Sequence, residues 1–223
     1  MNYLSFSLWG DNPMYNIGAI KNAELWKNIY PEWEMVVFYD NTVPTETIEK
    51  LNNLGVETIE MDDTIYGCFW RFLASDFDDC EYVIFRDTDS RISLRERLAV
   101  YEWIDSKKSL HVMRDHPYHK IPAGNDSIGI LAGMWGVKGK KFDMENLIEN
   151  FTKNRENFYG IDQTFLKIIY EKFKNDKLEH DDFFQGKPFP FPRDGYRFIG
   201  ERFDENDVPH DDWKILSMIK NKI

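Results

Sequence analysis

Two carboxylates stand one residue apart in Arg86-Asp87-Thr88-Asp89-Ser90-Arg91, directly after the apolar run Tyr82 to Phe85. Such a run reads as a buried central strand, and carboxylates at its C-terminal end can both reach one divalent cation. Spacing alone is weak evidence, because Asp76-Phe77-Asp78 repeats it between a helical pattern and a strand. Position after a buried strand separates the two. The plain role open to Asp87 and Asp89 is a solvated turn, or a cap for the helix that begins near Leu94. Asp162 in Gly160-Ile161-Asp162-Gln163 stands at a helix start, where an Asp often only caps.

The elements that must position these groups alternate in type. Leu4 to Trp9, Met35 to Tyr39, Val56 to Met61, Tyr82 to Phe85 and Leu110 to Met113 read as strands. Helical spacing runs through Ile17 to Ile29, from Pro44 to about Leu54, Phe69 to Phe77, Leu94 to Ile104, Met144 to Phe151 and Gln163 to Phe173. Arg114 to Ser127 reads as a long loop and Ile128 to Val137 as an extended segment broken by glycines. Phe184 to Pro192 is too rich in Pro for a core strand, and Asp211 to Ile219 closes the chain as a helix. This rhythm predicts an α/β fold with a mostly parallel sheet flanked by helices and a Pro-rich C-terminal extension.

Composition narrows the chemistry. The 223 residues carry 28 Lys and Arg against 39 Asp and Glu, a net charge of −11 that opposes nucleic-acid binding. An anionic ligand therefore needs a local basic pocket or a metal. One domain spanning 1–223 is the expectation from length. No apolar run approaches a membrane span, the N-terminus lacks a signal-peptide pattern, and Cys68 and Cys80 form no Cys-x-x-Cys. A reduced, cytoplasmic protein is expected; nothing in the pattern gives an oligomeric state.

Phe6-Ser7-Leu8-Trp9-Gly10, Phe69-Trp70-Arg71-Phe72, Tyr82 through Arg91, and Leu131-Ala132-Gly133-Met134-Trp135-Gly136 together resemble the nucleotide-sugar glycosyltransferases of the GT-A fold. The resemblance is nearest to small bacterial and large-DNA-virus members that build surface glycans. It implies transfer of a sugar, most simply from a UDP-sugar, to a glycan acceptor. Asp87 and Asp89 would hold Mn²⁺ or Mg²⁺ against the diphosphate, with Arg71 near Asp89 and the donor. Leu8, Trp9, Gly10, Tyr15 and Asp40 fall where such folds place the nucleoside, and Thr88 belongs to the same donor loop. Gly133 would let backbone approach the donor sugar, Asp115 in Met113-Arg114-Asp115-His116 would meet sugar hydroxyls, and Asp162 would face the acceptor or the anomeric carbon. Arg86 or Arg91 would add positive charge.

His180-Asp181-Asp182-Phe183-Phe184-Gln185-Gly186-Lys187-Pro188 resembles the family 8 pattern of a His shortly before Gly-x-x-Lys-Pro. That resemblance makes His180 a third metal ligand, with His210 as its rival from the tail, and gives Lys187 a phosphate. In this chain Lys187 follows Gly186 directly, so the loop departs from the pattern. Imidazole suits Mn²⁺ better than Mg²⁺. Two other classes fit parts of the pattern. Haloacid-dehalogenase-like phosphohydrolases also place Asp-x-Asp after an apolar strand, on their first strand and with a Thr or Val where Arg91 stands. A noncatalytic carbohydrate-binding domain would suit the aromatic content.

Overall fold

In a computed structural model, residues 1–119, 121–123 and 126–220 are described, with 121–123, 126–128 and 220 as backbone only. The chain runs β1 (Asn2–Leu8), α1 (Pro13–Ile29), β2 (Glu34–Tyr39), α2 (Thr45–Asn53) and β3 (Glu57–Glu60). A 3-10 segment (Gly67–Asp76), β4 (Tyr82–Phe85), α3 (Leu94–Ser106) and β5 (Leu110–Arg114) follow. Next come a 3-10 turn (Pro117–His119), β6 (Ile121–Ala123), β7 (Asp126–Ile128) and β8 (Trp135–Lys138). α4 (Met144–Thr152), α5 (Ile161–Lys172), β9 (Lys177–Asp181) and α6 (Trp213–Lys220) complete it.

Seven strands form one sheet in the order β3-β2-β1-β4-β8-β5-β9, with β8 antiparallel to both neighbours and the other pairs parallel. Strand order reverses between β1 and β4. At such a switch point the crossover helices leave in opposite directions and open a crevice beyond the strands' C-terminal ends. Leu8-Trp9-Gly10 and Arg86-Asp87 both emerge there, with Ser5 opposite Phe85.

Alternation along the strands builds a core on each face. Tyr3, Val83, Phe85 and Trp135 pack with Phe69, Phe72 and Phe165 from the 3-10 segment and α5. Leu4, Phe6, Tyr82 and Ile84 pack with Trp26 of α1 and Trp103 of α3. Two expectations are corrected here. The Phe69 to Phe77 helix is a 3-10 run whose middle is tied to β1: Arg71 N donates to Ser7 Oγ at 2.9 Å and Ser5 Oγ donates to the Arg71 carbonyl at 2.7 Å. The Arg114 to Ser127 stretch, expected as a loop, carries β6 and most of β7, which pair antiparallel.

Candidate active site

The site grows from the end of β4. Ser93 caps α3 by accepting the Glu96 N–H at 3.2 Å, so Asp87 and Asp89 are not needed as caps. The spacing twin Asp76 is itself a cap, accepting the Met144 and Glu145 N–H groups at 3.0 Å each, and Asp78 is exposed beside Lys140. Between β4 and α3 the carboxylate loop is clamped by Asn22 of α1. Its side chain donates to the carbonyls of Thr88 at 3.3 Å and Ser90 at 2.8 Å and accepts from Ile92 N at 3.1 Å. Gly18, one turn before Asn22, is required at this contact, since a Cβ there would lie 2.9 Å from the Thr88 carbonyl carbon.

Asp87 is half-exposed and ion-paired with Arg71, whose guanidinium also reaches Asp162 at 3.1 Å and the Arg86 carbonyl at 3.2 Å. Arg71 is therefore bonded to Asp87, and its charge also reaches Asp89, as the resemblance implied. Gly133 faces the same carboxylate: a Cβ would fall 2.5 Å from the Asp87 Cγ, so the glycine makes room for Asp87, a reading that the sugar role did not include. Asp89 is buried, and burial together with the Asp87 charge pushes its pKa up to about 6. Asp162 is not an N-cap, because Gly160 at φ +83° takes that position. Its carboxylate accepts Arg71 and the Gln163 N–H, and burial raises its pKa.

Trp9 and Tyr15 present partly exposed rings at the crevice, at 43% and 38% exposure. Gly10 turns with φ +73°, its N–H donating to Thr42 Oγ1 at 2.7 Å, and Asp40 in turn accepts the Thr42 N–H at 3.0 Å. Leu8 and Thr88 are buried, so Leu8 is a core residue and the Thr88 side chain does not line the crevice.

Four assignments are overturned by geometry. His180 is fully buried, with Nδ1 2.8 Å from His111 Nε2 and Nε2 2.8 Å from Glu102 Oε2. It pairs with Met113 of β5, and β9 stands three strands from β4. Interstrand spacings of about 4.8 Å put it about 14 Å to the side of the carboxylate loop, beyond the reach of a shared ion. Lys187 lies against β9, bridges to His180 and pairs with Glu102, so it is no phosphate ligand here. Asp115 is fully buried and saturated by Arg95, Arg193 and the Ile199 N–H, which leaves nothing for sugar hydroxyls. Arg86 is a core residue, its Nε 2.8 Å from Glu96 Oε1.

The donor set nevertheless fits a hard divalent cation: two oxygen ligands of like charge are held together, and the buried one resists ionising alone. Among the described residues no group of three or more His, Cys, Asp or Glu stands ready for a metal. Diphosphate and water would supply the other positions. His210 of the tail donates its backbone N–H to the Arg202 carbonyl at 2.8 Å.

No protein-family model and no curated sequence matches the chain. Solved structures do. The chain is similar to the Streptococcus pneumoniae glycosyltransferase GlyE at TM-score 0.53 and 20% identity, over 81% of this chain and 45% of that one. S. aureus TarS 1–349 gives TM-score 0.54 and 17% identity over 82% and 58% of the two chains. Galactosyltransferase LgtC, solved with donor and acceptor sugar analogues, gives 0.51 and 14% over 80% and 73%. At such identities the likeness shows a fold, that of GT-A glycosyltransferases. The chain spans under two thirds of GlyE and of the TarS fragment.

Proposed function

We propose that the chain is a metal-dependent glycosyltransferase that moves a sugar from a UDP-linked donor to a glycan acceptor. The observation that carries this reading is the carboxylate pair Asp87 and Asp89, anchored at the β1/β4 switch point of a GT-A fold. TarS has also been solved with UDP, which favours the same nucleotide here. A bound Mn²⁺ or Mg²⁺ would neutralise charge developing on the departing diphosphate.

The chain's own groups divide the work. Asp87 and Asp89 hold the cation, and Arg71 fixes Asp87 while its second arm rests on Asp162. Asp162 thus acts through Arg71; direct work at the sugar would require it to release that partner. Trp9, Tyr15 and the Gly10 turn form the nucleoside side of the crevice, with Asp40 holding the turn through Thr42. A haloacid-dehalogenase-like phosphatase would carry the carboxylate pair on its first strand, whereas here it follows β4, the fourth.

The test is incubation with UDP-sugars and Mn²⁺ beside a parallel assay with an aryl phosphate. Metal-dependent release of UDP without phosphate release is expected. Hydrolysis of the aryl phosphate would replace the reading by a phosphohydrolase, and release from GDP-sugars alone would change the donor.

A further inference from the structure

A diphosphate carries negative charge into an acidic protein, yet most cations around the carboxylate loop are already committed. Arg71 is held by Asp87 and Asp162, and Arg86 by Glu96 in the core. Arg91 donates to Asp207 at 2.9 Å and to the carbonyls of Thr88 and Ser90. Lys187 is on the far edge of the sheet with Glu102.

Arg202 differs. The segment after α5 and β9 returns across the loop: Ser90 and Arg202 form an antiparallel bridge, and the Phe203 N–H donates to the Asp89 carbonyl at 2.8 Å. The turn is closed by the Phe203–Pro209 bridge and by the His210 N–H on the Arg202 carbonyl at 2.8 Å. This places the Arg202 side chain beside Asp89 with 53% of it exposed. Its Nε and Nη2 share one oxygen of Asp212, at 3.3 and 2.9 Å, and Nη1 has no acceptor among the described residues. Its charge acts on Asp89, Tyr15 and Tyr159, which therefore lie near it.

We infer that Arg202, carried onto the carboxylate loop by the C-terminal segment, binds the diphosphate of the donor. The inference rests on the nucleotide-donor reading above. A planar guanidinium offers two parallel N–H groups to phosphate oxygens, and its free Nη1 edge is the part a ligand would meet. An exposed ion pair contributes little to stability, so exchanging Asp212 for a phosphate on ligand binding meets little resistance. Asp212 then keeps the side chain in place until the anion arrives.

Calorimetric titration of UDP and of uridine, each with Mn²⁺, into wild type, Arg202→Ala, Arg202→Gln, Arg202→Lys and Asp212→Asn tests this. Loss of one charge-assisted bond pair predicts UDP binding weaker by about 10-fold or more in the Ala and Gln variants, with uridine unchanged. Arg202→Lys recovers part of the loss, and Asp212→Asn binds UDP at least as well as wild type. Wild-type UDP affinity in Arg202→Ala or Arg202→Gln overturns the assignment while leaving the donor reading intact. Equal losses for UDP and uridine also overturn it, since they report a displaced loop. A wild-type protein that binds neither removes the donor reading and this inference with it.

Discussion

Asp89 is ionised at neutral pH against its surroundings. Burial first, and the Asp87 charge second, raise its pKa from 3.8 to about 6. Between those values the unfolded chain gives up the proton while the folded chain keeps it. Stability therefore falls as pH rises through that window, and the full cost, on the order of 3 kcal/mol, is present above it. Without metal, Asp89→Asn should melt higher than wild type at pH 7.5 and equally at pH 4, yet lose metal-dependent UDP binding. Asp78→Asn should change neither, because Asp78 lies exposed beside Lys140. An Asp89→Asn protein that melts lower at pH 7.5 would mean that the loop needs the carboxylate for folding. The contrast between these two residues was legible in sequence, since only Asp89 follows a buried strand. His180, Asp115 and Lys187 were not. A motif in one dimension carries no sheet register, and β9 enters three strands from β4. The same gap hid the partners that saturate Asp115, which come from α3 and from residues 193 and 199.

Loops that hold charge must be held by elements, and here the element is α1. Gly18 and Asn22 share one face of that helix and grip the carboxylate loop by close approach and by hydrogen bonds to Thr88, Ser90 and Ile92. In an isolated helix Ala is favoured over Gly by about 1 kcal/mol. At Gly18 the sign should reverse, because the new methyl would press on the Thr88 carbonyl; overpacking of this kind costs about 1–3 kcal/mol. Gly18→Ala should accordingly lower the denaturation midpoint and weaken UDP–Mn²⁺ binding together, and a stabilised variant with unchanged binding would refute the clamp. Periodicity found α1 but not this face, because Gly and Asn carry no hydrophobic signal. The 3-10 run at Gly67–Asp76 was missed for a related reason: its aromatic spacing suits a helix, while Ser5 and Ser7 tie its backbone to β1 instead.

At the scale of the molecule, the net charge of −11 sets the terms for any anionic donor. A mostly parallel sheet was anticipated from alternating strands and helices, and its order β3-β2-β1-β4, which the sequence did not reveal, places the crevice at the C-terminal ends. What fills the crevice then has to overcome like-charge repulsion. The Asp87–Asp89 pair adds to that repulsion when no cation is present, so UDP by itself should bind poorly. Mn²⁺ neutralises the two carboxylates and can then meet the diphosphate oxygens, and binding to the native state alone stabilises it by mass action. At a ligand concentration 100 times Kd this gives about 2.7 kcal/mol, or about 5–10 °C in Tm for a chain of this size. UDP with Mn²⁺ should produce such a rise, UDP with a chelator none, and acidification below about 6 should shrink it progressively as protons compete with the cation for Asp89. A rise with UDP that survives chelation would assign the diphosphate to the protein's own cations and leave the carboxylate pair without its metal.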